Sequence, residues 1–73
     1  MDNIEEVLLS KLAEKFGGSP QLNDSLALIG VDSVGMAELT FEIEKMFSIH
    51  VDDAVLDVET VQELAEYIRA RRS

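Results

Sequence analysis

Apolar residues in this chain recur at the period of a helix in three separate stretches, and alternate at the period of a strand only over Ser48-Ile49-His50-Val51. A face that returns every 3.6 residues is buried by a helix and not by a strand, so the pattern predicts an all-α fold. The first stretch runs from about Ile4 to Phe16: Ile4, Leu8 and Leu12 form one stripe, which Val7, Leu9 and Phe16 widen. Asn3 and Glu6 have the spacing of a capping box at its start, with Asn in place of Ser or Thr. Gly17-Gly18 supplies a left-handed stop, and Pro20 prevents the helix from continuing.

From Gly17 to Val31 no period persists, yet Leu22, Leu26, Leu28 and Ile29 recur among Asn23, Asp24 and Ser25. Loops of about 12–15 residues are uncommon in small domains unless they are functional or pinned by buried side chains. Leu26, Leu28 and Ile29 are expected to pin this one to the bundle, with Gly30 as a turn before the next element. The second helix is expected from about Val34 to Phe47. At about 100° per residue, Met36, Leu39, Ile43, Met46 and Phe47 cluster within about a third of its circumference and form the core stripe. Val34, Ala37 and Phe41 fall on the opposite side, interleaved with Glu38 and Lys45 and flanked by Glu42 and Glu44. Two readings of this second stripe fit. Either Phe41 packs on the long loop or stands exposed as single apolar residues often do, or three apolar residues framed by acids form a docking surface.

Ser48–Val51 reads as a connector with Ile49 or Val51 buried, and a short helical turn is expected near Asp52–Leu56. The last helix opens on Thr60-Val61-Gln62-Glu63, a well-matched capping box, and sets Val61, Leu64, Ala65 and Ile68 on one face. Arg69, Arg71 and Arg72 stand in its final turn, where the helix dipole favours positive charge. The expected architecture is an antiparallel bundle of three longer helices and one short one, formed by a single domain over residues 1–73. A monomer is expected.

Composition narrows what such a bundle does. Its 73 residues include no Cys, which removes disulfides, thiolate metal sites and a cysteine nucleophile together. A catalytic Ser-His pair would have to use His50, the one histidine, and no nucleophile-elbow glycine pattern is present. Asp52, Asp53, Asp57 and Glu59 lack the spacing of a calcium loop and read as solvated charge at helix caps. The glycines match neither the dinucleotide nor the P-loop pattern. Fifteen acidic side chains against six basic ones give a net charge of −9, and all three Arg lie beyond residue 68. Such a surface repels phosphate backbones and anionic lipid, which argues against nucleic acid and membranes, and it steers toward basic patches on proteins. No apolar run approaches the roughly 20 residues of a bilayer span. The N-terminal Met1-Asp2-Asn3-Ile4-Glu5-Glu6 has no basic export region, so a cytoplasmic location is expected.

One segment remains: Ile29-Gly30-Val31-Asp32-Ser33-Val34-Gly35-Met36-Ala37-Glu38-Leu39. Asp-Ser before a helix reads first as an N-cap, in which a side-chain oxygen accepts from a first-turn N–H. A Ser at that junction is also a good point to attach a phosphodiester, since the free N–H groups of a helix start favour an anion.

In Gly30-Val31-Asp32-Ser33-Val34 the chain resembles the acyl carrier protein family, whose signature is Gly-x-Asp-Ser-Leu, and the resemblance extends over nearly its whole length. A first helix and long loop precede the motif; a helix bearing Glu38-Leu39 and closing with Phe47, a hydrophobic connector, a short helix and a last helix from Thr60-Val61 follow it. The resemblance implies a non-catalytic carrier whose Ser33 bears 4′-phosphopantetheine, installed from coenzyme A by a separate phosphopantetheinyl transferase, with Asp32 as its acidic neighbour. It implies that acyl groups ride on that arm as thioesters between biosynthetic enzymes. Val34, Ala37 and Phe41 then correspond to partner-facing apolar positions, with Glu38, Glu42 and Glu44 as an acidic rim for basic patches.

Three departures bear on the pathway. Val34 replaces the usual Leu, Lys45 stands at an often acidic position, and Gly35 replaces a polar residue, at a helix-propensity cost of up to about 1 kcal/mol relative to Ala. Within the fatty-acid, polyketide or related pathways that the resemblance implies, these weaken the case for a housekeeping fatty-acid carrier and look like D-alanyl carriers and discrete carriers of specialised pathways, aminoacyl, peptidyl and polyketide ones included. Met1 and the lack of linkers favour a free-standing carrier. An unmodified acidic adaptor binding a basic partner through Val34, Ala37 and Phe41 is the alternative from another class. Met36, Met46, Phe47 and Leu28 read either as ordinary core or as the lining of a groove for an acyl chain.

Overall fold

The computed structural model describes residues 3–72, so the N-terminal pair Met1-Asp2 and the final Ser73 lie outside the described residues. Helix α1 spans Ile4–Phe16, α2 is a single turn over Leu26–Ile29, α3 spans Ser33–Phe47 and α4 spans Val61–Arg72, with a 3-10 helix over Asp53–Asp57 between the last two. The three longer helices and the short turn near residue 53 stand where the sequence predicts them; α2 is an addition to the expected loop. No strand forms among the described residues, where Ser25 and Thr60 meet in one isolated antiparallel bridge.

The core is the stripe that the periodicity dictates. Ile4, Leu8 and Leu12 of α1, Leu39 and Ile43 of α3, and Val61, Leu64, Ala65 and Ile68 of α4 are buried, joined by Leu26 and Val55 from the connecting segments. Removing a Leu, Ile or Val side chain from water contributes about 1.5–3 kcal/mol, so this one apolar cluster is what holds a chain without disulfides. Met36 and Phe47 pack partly buried at its margin, as do Leu9, Phe16, Ile49 and Val51.

Three positions depart from the expected pattern. Leu28 is 85% exposed, because one helical turn puts residues 26 and 29 on a common side and turns residue 28 away. Met46 is exposed and Val7 nearly as much, each at the edge of its helix's buried stripe. The N-terminal capping box also fails to form: the Asn3 side chain makes no cap bond, and only its carbonyl accepts, from the Val7 N–H at 2.9 Å.

The long loop is pinned, though largely by backbone. The Leu26 N–H donates to the Glu59 carbonyl at 2.8 Å, the Val61 N–H to Asp24 at 3.2 Å and the Gln62 N–H to Leu22 at 2.9 Å. The last two of these bonds satisfy free N–H groups at the start of α4 with the loop's own carbonyls. Ser25 caps α2 by accepting from Ala27 and Leu28 at 3.1 and 3.4 Å, and Gly30 ends it at φ 109°, a left-handed conformation open to glycine. At α4, Thr60 Oγ1 accepts the Glu63 N–H at 3.2 Å, while Glu63 reaches back to the N–H of Glu59 at 2.9 Å, one residue earlier than in the standard box. No helix among the described residues is long and apolar enough to cross a membrane.

Candidate functional site

Ser33 is the first residue of α3, and its side chain is exposed. Its place is fixed by Asp32, whose extended backbone enters the helix while Oδ1 accepts the Gly35 N–H at 2.7 Å. The cap thus uses Asp32 and leaves the Ser33 hydroxyl available; among the described residues no side chain hydrogen-bonds it. Among the described residues no base is hydrogen-bonded to this hydroxyl, the contact that activates a serine nucleophile. His50 is exposed in the connector, among neither the residues that line Ser33's groove nor those that bond to it.

Gly35, whose N–H donates this cap bond, is buried. A β-carbon there would lie 3.0 and 3.1 Å from the ring edge of Phe16 and 3.2 Å from Asp32 Oδ1. The glycine that looks like a helix weakness in the sequence is the place where the end of α1 packs onto the start of α3.

A groove of about 320 Å³ runs beside Ser33 between α3 and the segment 51–56. Met36, Ala37 and Thr40 line it from one side, and Val51, Asp53, Val55 and Leu56 from the other. Of the four residues expected to line such a groove, only Met36 borders this one; Leu28 borders a different surface hollow, shared with Phe16 and Gly17–Pro20. Leu56, large and exposed, is a groove residue that sequence reasoning missed, because a five-residue 3-10 helix leaves no usable period.

Val34 is 67% exposed and Phe41 61%, and Ala37 is exposed between them, so the second stripe of α3 is turned mostly to solvent. The acids expected to frame it divide. Glu42 is half-buried and faces α1, holding Lys15 at 2.6 Å and Lys11 at 3.2 Å. The hydrogen bonds from Lys15 and then Lys11 keep its carboxyl below the usual 4.5, and the same contact raises Lys15. Glu44 turns to the connector and accepts the Val51 N–H at 2.8 Å. Glu38 remains mostly exposed, 3.5 Å from the Lys15 ammonium. Lys45 lies over the Phe41 ring at 5.2 Å from its centre, a weak cation–π contact.

A second polar cluster has no signal in the sequence. Asp52 caps the 3-10 helix through the Ala54 N–H at 3.1 Å, accepts the Tyr67 hydroxyl at 2.6 Å and receives Arg71 at 3.0 and 3.2 Å. Arg71 also stacks 3.8 Å from the centre of the Tyr67 ring. The Tyr67 bond, then Arg71, holds the Asp52 carboxyl down at about 2.

Against known proteins, the family model described as a phosphopantetheine attachment site matches residues 6–68. An acyl carrier protein of Rickettsia bellii is 30% identical over 78 aligned positions, covering 100% of this chain and 96% of that protein. Acyl carrier proteins of Trieres chinensis and the onion yellows phytoplasma are 46% and 44% identical over 43 and 41 residues. In both cases the match spans about half of the relative's length, 54%, and 58% or 55% of this chain. No solved structure matches. An exposed serine beside an apolar groove suits a flexible phosphodiester-linked arm, and with a family match over residues 6–68 the chain belongs to the acyl carrier protein family, whose prosthetic group is 4′-phosphopantetheine.

Proposed function

We propose that this chain is a carrier domain over residues 1–73 whose Ser33 holds 4′-phosphopantetheine, added from coenzyme A by a separate transferase. The observation that carries the reading is the division of labour at the start of α3: Asp32 makes the cap, and Ser33 is left exposed and unbonded. When bound, the group supplies the thiol that the chain lacks and holds acyl cargo as a thioester. The chain's own residues do the rest. The free N–H groups and dipole of the fifteen-residue α3 favour the negative phosphodiester. Met36, Ala37, Val55 and Leu56 offer the adjoining apolar wall.

Docking to the transferase and to loading and downstream biosynthetic enzymes uses Val34, Ala37 and Phe41, whose exposed stripe begins one residue from Ser33. The net charge of −9 steers the monomeric carrier toward basic patches on those enzymes. Glu38 is the rim acid best placed for contact, since Glu42 and Glu44 already serve bonds within the fold. The pathway is one that handles acyl thioesters, of the fatty-acid, polyketide or aminoacyl type.

Incubation with coenzyme A, Mg²⁺ and a phosphopantetheinyl transferase tests the reading. Intact mass should rise by one arm in the native sequence and stay unchanged in Ser33→Ala. Absence of any gain with several transferases, in protein shown to be folded, would sink the assignment. In Phe41→Glu the same reaction should proceed with a raised KM.

A further inference from the structure

We infer that Asp52 is a positioning residue for the site at Ser33, the point through which α4 fixes the far wall of the groove. The inference rests on the reading of Ser33 as the attachment site and concerns how that site is held open or shut.

The wall opposite α3 is short and weakly built. It consists of the connector and a five-residue 3-10 helix, with Val55 as its one buried side chain. Backbone bonds close its two ends, from the Val55 N–H to Asp52 and from the Val58 N–H to Val55, both at 3.2 Å. Such a segment has little stability of its own. Two successive N–H groups at its entrance are held instead by side chains of the long helices. The Val51 N–H donates to Glu44 of α3, and the Asp52 N–H donates to the Tyr67 hydroxyl of α4 at 2.9 Å. Tyr67 in turn donates that hydroxyl to the Asp52 carboxylate, on which Arg71 and the Ala54 N–H also converge. The one carboxylate therefore caps the 3-10 helix and fastens it to α4. Asp52, Asp53, Val55 and Leu56 all border the groove with Ser33, so loosening this fastening moves the wall and leaves the α3 side in place.

Tyr67→Phe removes every bond of the hydroxyl to Asp52 and keeps the ring under Arg71; Asp52→Asn keeps the shape and weakens the Arg71 and Tyr67 contacts. In apo protein, amide exchange at Ala54, Val55 and Val58, whose N–H groups bond to Asp52 or Val55 and not to Tyr67, should quicken by about fivefold to tenfold in both variants. Exchange across α1 should not change. In protein loaded from octanoyl-coenzyme A, hydroxylamine should cleave the octanoyl thioester faster in the variants. An acetyl thioester, too short to lie along the groove, should be cleaved at the native rate. Unchanged exchange at the three amides, unchanged octanoyl cleavage, or an equal rise for acetyl and octanoyl would each overturn the inference. If the native protein takes no arm at all, the reading of Ser33 fails, and the exchange measurement still judges the fastening by itself.

Discussion

The ring edge of Phe16 lies 3.0 Å from the point that a β-carbon on Gly35 would occupy, so the last residue of α1 packs on bare backbone in the first turn of α3. In an open helix, Gly→Ala raises stability by up to about 1 kcal/mol. Here the added methyl presses on Phe16 and on the Asp32 oxygen that makes the cap. Gly35→Ala is therefore expected to gain clearly less than that, and Gly35→Ala in a Phe16→Ala background to gain more, with only the Asp32 contact left. Urea unfolding of the four proteins of this double-mutant cycle measures the difference. Equal gains in both backgrounds would show that the ring does not press on this position.

The two capping boxes make opposite predictions. Thr60 accepts a helix N–H through its side chain and Asn3 does not. Thr60→Ala should lower stability by about 1 kcal/mol, whereas Asn3→Ala should change it by no more than a few tenths. Denaturant midpoints at constant slope decide between them.

Acid should act through carboxylates that are held ionised. Asp52 is lowered from 3.8 to about 2 by Tyr67 and Arg71, and Glu42 is lowered from 4.5 by Lys15 and Lys11. A folded-state value below the unfolded one gives stability that is complete above the unfolded pKa and lost as pH falls through the folded one. Native protein should therefore weaken progressively from pH 4.5 down to about 2. Tyr67→Phe should flatten the part of that decline below 3.8, because Asp52 is then depressed less. Lys11 and Lys15 are raised above 10.5, chiefly by Glu14 and Glu42 respectively, so their contribution is present below that value and fades as pH rises past it. Unfolding midpoints across the pH range, with the Asp52 carboxyl followed by NMR, test both limbs.

Leu26 and Leu28 are near neighbours with opposite fates. Leu26 is buried in the core and Leu28 stands in solvent. Leu26→Ala should cost about 2–5 kcal/mol, the usual range for emptying a core site. Leu28→Ser should leave stability within about 0.5 kcal/mol, as surface changes do. A large loss in Leu28→Ser would contradict its exposed position.

What the sequence by itself determined is whatever a helical period and local cap chemistry encode. Ile4, Leu8 and Leu12, Leu39 and Ile43, and Leu64 and Ile68 lie on predicted stripes and are buried. Asp32-Ser33 marks a helix start that exists, and Thr60 with Glu63 marks another. These are relations between residues three or four apart, where one helix turn fixes the geometry. Tertiary structure alone decided which polar groups find partners on another element. Glu42 and Glu38 stand on the same helix four residues apart, yet Lys11 and Lys15 draw Glu42 toward α1, while Glu38 stays mostly in solvent. Gly35 reads as a weak point until Phe16, nineteen positions earlier, arrives above it. Asp52 and Tyr67 carry no mutual signal because fifteen residues and a turn separate them, and only the packing of α4 brings the hydroxyl to the carboxylate. The −9 that the sequence states as one number is divided in the fold: Glu42 and Asp52 fasten elements together, while Glu38 on α3 and Asp53 beside Ser33's groove stay in solvent.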